Sequence, residues 1–589
     1  MDVETVDWID GPSAPRNRST RVPPTYHSMR FSRLVACPLA ILLAASCGRG
    51  ELPASPAAAG PDGGTLVIAS PGDADNLLPP LAVTIVSREV TDLVFDHLAE
   101  IGDDMNTFGD AGFTPRLARS WTWAPDSLSI VFHLDPRARW HDGQPVRAND
   151  VRFSVALYKN PKLASPIAAA LANVDSATVL DSLDAVVWFH AREPESFFDI
   201  AYQLWVMPEH VYGAVPPEKL ATSELARHPV GSGRFRFVSW QPGSRIEIEA
   251  DTANYRGRAK LDRVIWAISP DNDASFAQVI GGQADLFESA TPGQLKAISG
   301  HSNVRAFPWP TLQYGFLGLN FRDPKHHAQP NPVLHDVRVR RALSMALDRH
   351  AMLQNVFGGF GAIGYGPFPA GLATADTTLR IPHHDPGFAA ALLDSAGWTA
   401  GPDGMRRRDG VPLAIRLIVP TSSAFRMRYA VLIQEALRKV GIRVDLDAEP
   451  FPAFFAKQTA GDFDAALITY STDPNAGGAA QSWAASSMIP AGGNYLSYAD
   501  PRFDALLDSA TASFDPAAAK RYAVRAYQVI ADDVPAVWLY DLTSLGILNA
   551  RFHVTALRTD GWWAHLADWT IPTADRIDRD RIGLGAAKP

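Results

Sequence analysis

Apolar and polar positions along the chain fall into two alternating rhythms. Thr65-Leu66-Val67-Ile68-Ala69 is a short β-branched and apolar run bounded by glycines and Pro71, the pattern of a buried strand. A helical stretch follows near Ser87 to Leu98. Period-two runs at Ser120–Trp123 and Ser129–Leu134, joined by Ala124-Pro125-Asp126-Ser127, predict a hairpin. Gly233–Trp240 and Arg245–Ala250, around Gln241-Pro242-Gly243-Ser244, predict a second. Asn149 is placed to cap a helix whose apolar face runs through Val151, Val155 and Tyr158.

Arg426 to Val440 carries a period of 3.6, ends at Gly441 and passes into Ile442–Leu446, so a glycine-capped helix feeds a strand. The arrangement recurs at Phe503–Ser509 and Arg521–Ala531, followed by Ala536–Tyr540. The body is therefore a mixed α/β assembly. Pro-rich stretches at Pro324–Pro332 and Gly366–Pro386 read as surface loops within it.

Residues Met29 to Cys47 have two arginines, an apolar run from Leu34 to Ala45 and a small-residue junction, the layout of a secretory signal. Leu43-Ala44-Ala45-Ser46-Cys47 resembles a bacterial lipobox, with Ala44 in place of the usual leucine. It implies lipidation at Cys47; an ordinary signal with an incidental cysteine is the other reading. Residues 1–28 read as an extension upstream of the true start. Residues 48–63, rich in Ala, Pro and Gly, read as a flexible tether. After the signal, no predominantly apolar run is long enough to span a bilayer.

The 589 residues are 47% apolar and 20% charged, enough for a sizeable core. Lys and Arg total 54 against 63 Asp and Glu, a net charge of −9, which argues against general nucleic-acid binding. The two cysteines are Cys37 and Cys47, so the body has no thiol chemistry and no cysteine-based metal site. Walker-type, HExxH and GxSxG motifs are missing. Gly359–Gly364 satisfies GxGxxG but follows a helix, where a dinucleotide site needs a strand. His141-Asp142-Gly143 is a turn signal before it is a catalytic pair. His326-His327 and His383-His384 lie in Pro-rich loops, where neighbouring side chains point apart. No cofactor and no metal are expected.

Several motifs in order resemble the solute-binding proteins of peptide- and nickel-type ABC importers. They are Gly63–Val67 with Asn76–Pro80; Trp140–Pro145 with Asn149–Ser154; Pro229–Phe235; Asn254–Arg258 with Leu261–Val264; and Leu319–Phe321 with Asp336–Leu343 and Ala346–Arg349. Ala396–Trp398, Asp409-Gly410 and Gln434–Val444 add later landmarks. Alone, Arg338, Arg340 and Arg341 read as a solvated helix face after an Asp N-cap.

The resemblance implies an α/β fold of type II periplasmic-binding-protein ("Venus flytrap") architecture with an enlarged first lobe. Lobe one would span 64–315 with a return segment 535–589, and lobe two 316–534. It implies a non-enzymatic protein at the periplasm or the outer face of the cytoplasmic membrane, monomeric and lipid-anchored. Such a protein captures peptides between its lobes and delivers them to the transmembrane subunits of an ABC permease. A nickel chelate, haem or an oligosaccharide is the alternative cargo; a secreted hydrolase is the alternative from another class.

The resemblance also selects site residues. Gln313–Phe316, with Tyr314, would form the cleft wall. The stretch Ile468–Asn475 lies where peptide-binding relatives hold a carboxylate for the ligand's amine. Here Thr469-Tyr470 replaces the family's Gly-Trp, and only Asp473, the acid of Asp-Pro, remains; an Asx turn is its other reading. Trp483 would flank that site, and Arg426 and Arg428 would meet a ligand carboxylate.

Overall fold

The computed structural model describes residues 62–582 apart from 377, 475 and 476. The expected signal, most of the tether and Cys47 lie outside the described residues.

The frame is one ten-stranded mixed sheet. In chain order its strands are β1 (Thr65–Ser70), β2 (Phe235–Gln241), β3 (Arg245–Ala250), β4 (Arg263–Ile268), β5 (Leu286–Phe287), β6 (Val304–Leu319), β7 (Ala414–Pro420), β8 (Arg443–Glu449), β9 (Ala465–Ser471) and β10 (Ala536–Asn549). Across the sheet they run β8-β7-β9-β6-β10-β5-β1-β4-β3-β2. β1 is flanked by parallel neighbours and is buried along its whole length, which is why it reads as a continuous apolar run.

Both predicted hairpins form. Ala118–Trp123 pairs with Ser129–Leu134 in a separate four-stranded antiparallel sheet, and β2 pairs with β3 across Gly243, whose φ of 69° suits glycine. The predicted helix before Gly441 spans Ala424–Lys439, and Gly441 at φ 81° turns the chain into β8. The helix expected near Ser87–Leu98 is Ile85–Val94, capped by Thr84. In the helix Ala148–Tyr158 the N-cap is Arg147 rather than Asn149. Asp150 reaches back to accept the Arg147 N–H at 2.8 Å, so the helix begins with its cap two residues before Asn149.

β6 and β10 are the two longest strands, and they join two hydrophobic cores. One core gathers residues from Leu66 to Trp309 and from Leu545 to Ile571; the other gathers residues from Leu312 to Tyr540. The changeover falls between Trp309 and Leu312 on β6 and between Tyr540 and Leu545 on β10. Tyr314, expected at the end of the first lobe, belongs to the second core. The β6–β10 register slips at this point, between Pro310 and Tyr314 and again between Gly315 and Phe316. Gly315 is required there, because a Cβ would stand 2.0 Å from the Tyr540 ring.

Arg340 departs from the solvated face expected of it: it is buried, pairs with Asp533 at 2.7 Å and lies over the Phe321 ring, while Asp336 caps the helix as predicted. His141 and Asp142 point to different partners, His141 to the Gly233 carbonyl and Asp142 to His210, with Gly143 at φ 89° completing a turn. The loop Gly358–Gly364 packs along β10 beside Asp541, in no dinucleotide arrangement.

Candidate functional site

A cavity of about 420 Å³ opens where the two cores meet. One wall begins with the helix Ile85–Val94. Its Thr84 cap starts the helix so that Ile85, Arg88 and Asp92, spaced three and four apart, share the face toward the cavity. Phe198, Tyr202, Gln203 and Trp205 adjoin it, and Glu288, Trp309, Thr311 and Gln313 form the floor around the β6 bulge. The segment Thr559–Trp563 closes the side. From the second lobe, Ser471–Pro474 at the end of β9 completes the enclosure, held by the Thr472 N–H donating to the Leu312 carbonyl at 2.9 Å.

Four indole N–H groups are spent on three carboxyls. Asp92 accepts from Trp205 at 3.0 Å and from Trp563 at 2.7 Å. Glu288 accepts from Trp562 at 2.9 Å, and Glu89, fully buried behind it, accepts from Trp266 at 2.6 Å. Burial raises both, and the charge of Glu288 nearby adds to the rise at Glu89, which lies well above the carboxylate range. Burial likewise pushes Asp92 up to about 6, against the Trp563 hydrogen bond and the Arg88 and Arg558 charges.

Arg558 sets the side wall. Its guanidinium pairs with Glu100, donates to Asp560 at 2.6 Å and to the Tyr202 hydroxyl at 2.6 Å, and the same hydroxyl donates to Asp560. Tyr202 and Asp560 are thereby fixed at the cavity edge.

Of the residues selected from the sequence, Asp473 lines the cavity. It is open to the cavity, and the walls on either side raise its carboxyl, with Arg88 opposing. Asp199 stands close enough to feel its charge; burial, with Glu195, Glu193 and Asp473, pushes Asp199 up to about 8.

Tyr314, Tyr470 and Trp483 come together, but inside the second core rather than on the cavity surface. Trp483 donates to the Tyr314 hydroxyl at 2.8 Å, the Tyr314 and Tyr470 rings meet edge to face at 5.9 Å, and the Tyr470 hydroxyl donates to the Gly493 carbonyl at 2.6 Å. Gln313, one residue before Tyr314, is the one that reaches the cavity, because side chains alternate along a strand. Arg426 is half-buried with its guanidinium toward the Leu467 carbonyl at 3.5 Å, and Arg428 is exposed on the same helix; neither lines the cavity.

The carboxyls of Asp92 and Glu288 and the rings of Trp309, Trp562 and Trp563 were not selected from the sequence. One local signal was present: Val86, Glu89, Val90 and Leu93 form the helix's buried stripe, so Glu89 is an acid on an apolar face.

Residues 112–489 match the family model described as bacterial extracellular solute-binding proteins, family 5 Middle. The oligopeptide-binding protein AppA of Bacillus subtilis is 25% identical over 487 residues, covering 81% of this chain and 86% of its own. A putative ABC transporter peptide-binding protein of Brucella ovis is 27% identical over 493 residues, covering 81% and 87%. The solved structure of Bacillus subtilis AppA in complex with a nonapeptide superposes with a TM-score of 0.66 at 24% identity, over 87% of this chain and 99% of that one. The fold is thus that of the two-lobed periplasmic binding proteins.

Proposed function

The chain belongs to the bacterial extracellular solute-binding proteins of family 5, and from that premise we propose that it captures peptides between its lobes and hands them to the transmembrane subunits of an ABC permease. The observation that carries this reading is the 420 Å³ cavity, walled by side chains of both cores at the place where β6 and β10 cross between them. Relatives named as peptide-binding proteins over four-fifths of this chain support the cargo class.

In this reading the lobes are 64–310 with a return segment from 545, and 311–544, and the slipped register of β6 against β10 is the hinge. Asp473 contributes the acid for a ligand amine. A solute that touches both walls binds the closed form more tightly than the open one, and only that difference shifts the equilibrium. Arg192, whose guanidinium lies 4.0 Å from the Phe514 ring centre, and Phe108, packed on Ala519, are rim contacts between the lobes. The solute leaves unaltered, and lipidation at Cys47 tethers the protein to the membrane as a monomer.

The test is thermal. Protein unfolded and refolded to strip carried solute is melted against pools of peptides, neutral oligosaccharides and nickel chelates. A pool present at 100 times its Kd adds about 2.7 kcal/mol of stability. Stabilisation by peptides supports the reading; stabilisation by another pool alone, or consumption of peptides with new products, overturns it.

A further inference from the structure

We propose that the cavity takes solutes bearing a cationic side group, an ammonium or guanidinium beyond any terminal amine, seated against Glu288 and Asp92 in a lining that includes Trp309, Trp562 and Trp563. This deepens the capture reading and rests on it.

The first argument is charge. Asp92, Glu288, Asp473 and Asp560 line the cavity, with Arg88 as the guanidinium among the lining residues. Asp560 is matched by Arg558. Among the described residues, Asp92 and Glu288 make no ion pair; their hydrogen-bond donors are indoles, which are neutral. A carboxylate has about four acceptor sites, and the indoles use two on Asp92 and one on Glu288. The Trp562 and Trp563 rings are 5.9 Å apart and serve one carboxyl each, Glu288 in the floor and Asp92 on the helix wall.

The second argument is the aromatic lining: Trp309 in the floor and Trp562 and Trp563 at the side also border the cavity, and an indole attracts a cation where it would only tolerate an apolar group. Carboxyls with spare acceptor sites beside indole faces recognise a guanidinium or ammonium through both its charge and its N–H groups.

The experiment is calorimetric titration of the refolded protein at pH 6 with Ala-Lys-Ala, Ala-Ala-Ala and Ala-Glu-Ala. Ala-Lys-Ala is expected to bind about tenfold more tightly than Ala-Ala-Ala. In Glu288→Gln, and independently in Asp92→Asn, the ratio between these two peptides should fall to within about threefold. Equal affinity for the three peptides overturns the cation proposal and leaves peptide capture standing. If no peptide binds, capture of peptides fails, and spermidine and cellotetraose decide the rest. Spermidine binding that Glu288→Gln weakens upholds the cationic class, whereas cellotetraose binding alone, or neither, overturns it.

Discussion

The Trp483 indole donates to the Tyr314 hydroxyl at 2.8 Å, and both side chains are almost fully buried. Each supplies the other's polar partner inside an aromatic cluster with Phe316 and Trp538, so neither is available to a solute. Trp483→Phe should cost about 1–3 kcal/mol by stranding the Tyr314 hydroxyl, and Trp483→Ala about 3–5 kcal/mol by opening a void. Urea unfolding measures both. Weaker solute binding with unchanged stability would return Trp483 to the cavity wall.

Asp473 is the opposite case. It is open to the cavity. Asp473→Asn should weaken an amine-bearing solute by about tenfold or more while leaving the melting temperature of the empty protein within about a degree or two. Titration by intrinsic tryptophan fluorescence reads the affinity; an unchanged Kd removes Asp473 from the site.

Gly315→Ala tests the crossing of β6 and β10. The new methyl would meet the Tyr540 ring on its carbon and hydroxyl atoms, and Tyr540 is itself packed among Phe357, Phe425 and Tyr429. With no free direction for the ring, the substitution should destabilise by about 3 kcal/mol or more. Denaturant midpoints check it.

Asp541 gives a pH dependence of known sign. One oxygen accepts the Ala370 N–H at 2.9 Å, the other is buried without a hydrogen bond, and burial pushes the carboxyl up to about 7. The folded state therefore holds this proton more tightly than the unfolded chain, whose aspartate titrates near 3.8. The stability it contributes is complete below about pH 4 and is lost as pH rises through about 7. Asp541→Asn should flatten that decline, with a relative gain on the order of 2–4 kcal/mol at pH 8. Parallel unfolding curves at pH 4, 6 and 8 would show it, and identical slopes for both proteins would refute it.

The rim pair Arg192–Phe514 bears on residence time. Phe514 is partly exposed, so the contact is worth about 0.5–1 kcal/mol, and Arg192→Ala or Phe514→Ala should weaken solute binding about two- to fivefold, mostly through faster release. Stopped-flow displacement separates the off-rate from the on-rate.

Local chemistry made much of the fold readable. Asp126 and Gly243 mark turns, Asp336 marks a cap, and Gly441 marks the exit from a helix, because each acts on neighbours a few residues away. The cavity is different. Glu89 meets Glu288 from 199 positions away, and Asp92 meets Trp563 from 471 away; only the closed sheet brings such residues together. Motif position led to Asp473 on the cavity lining, and to Tyr314, which alternation along β6 turns into the second core while Gln313 faces the cavity.

β6 and β10 are neighbours in the sheet, paired from Val304 with Asn549 to Gly318 with Ala536. The chain thus departs from the first half and comes home at adjacent points, and everything between is a cassette plugged into a fixed socket. Such a cassette can grow, shrink or be traded for another without rethreading the remainder. Chimaeras spliced at this doorway are the natural way to ask which half dictates diet.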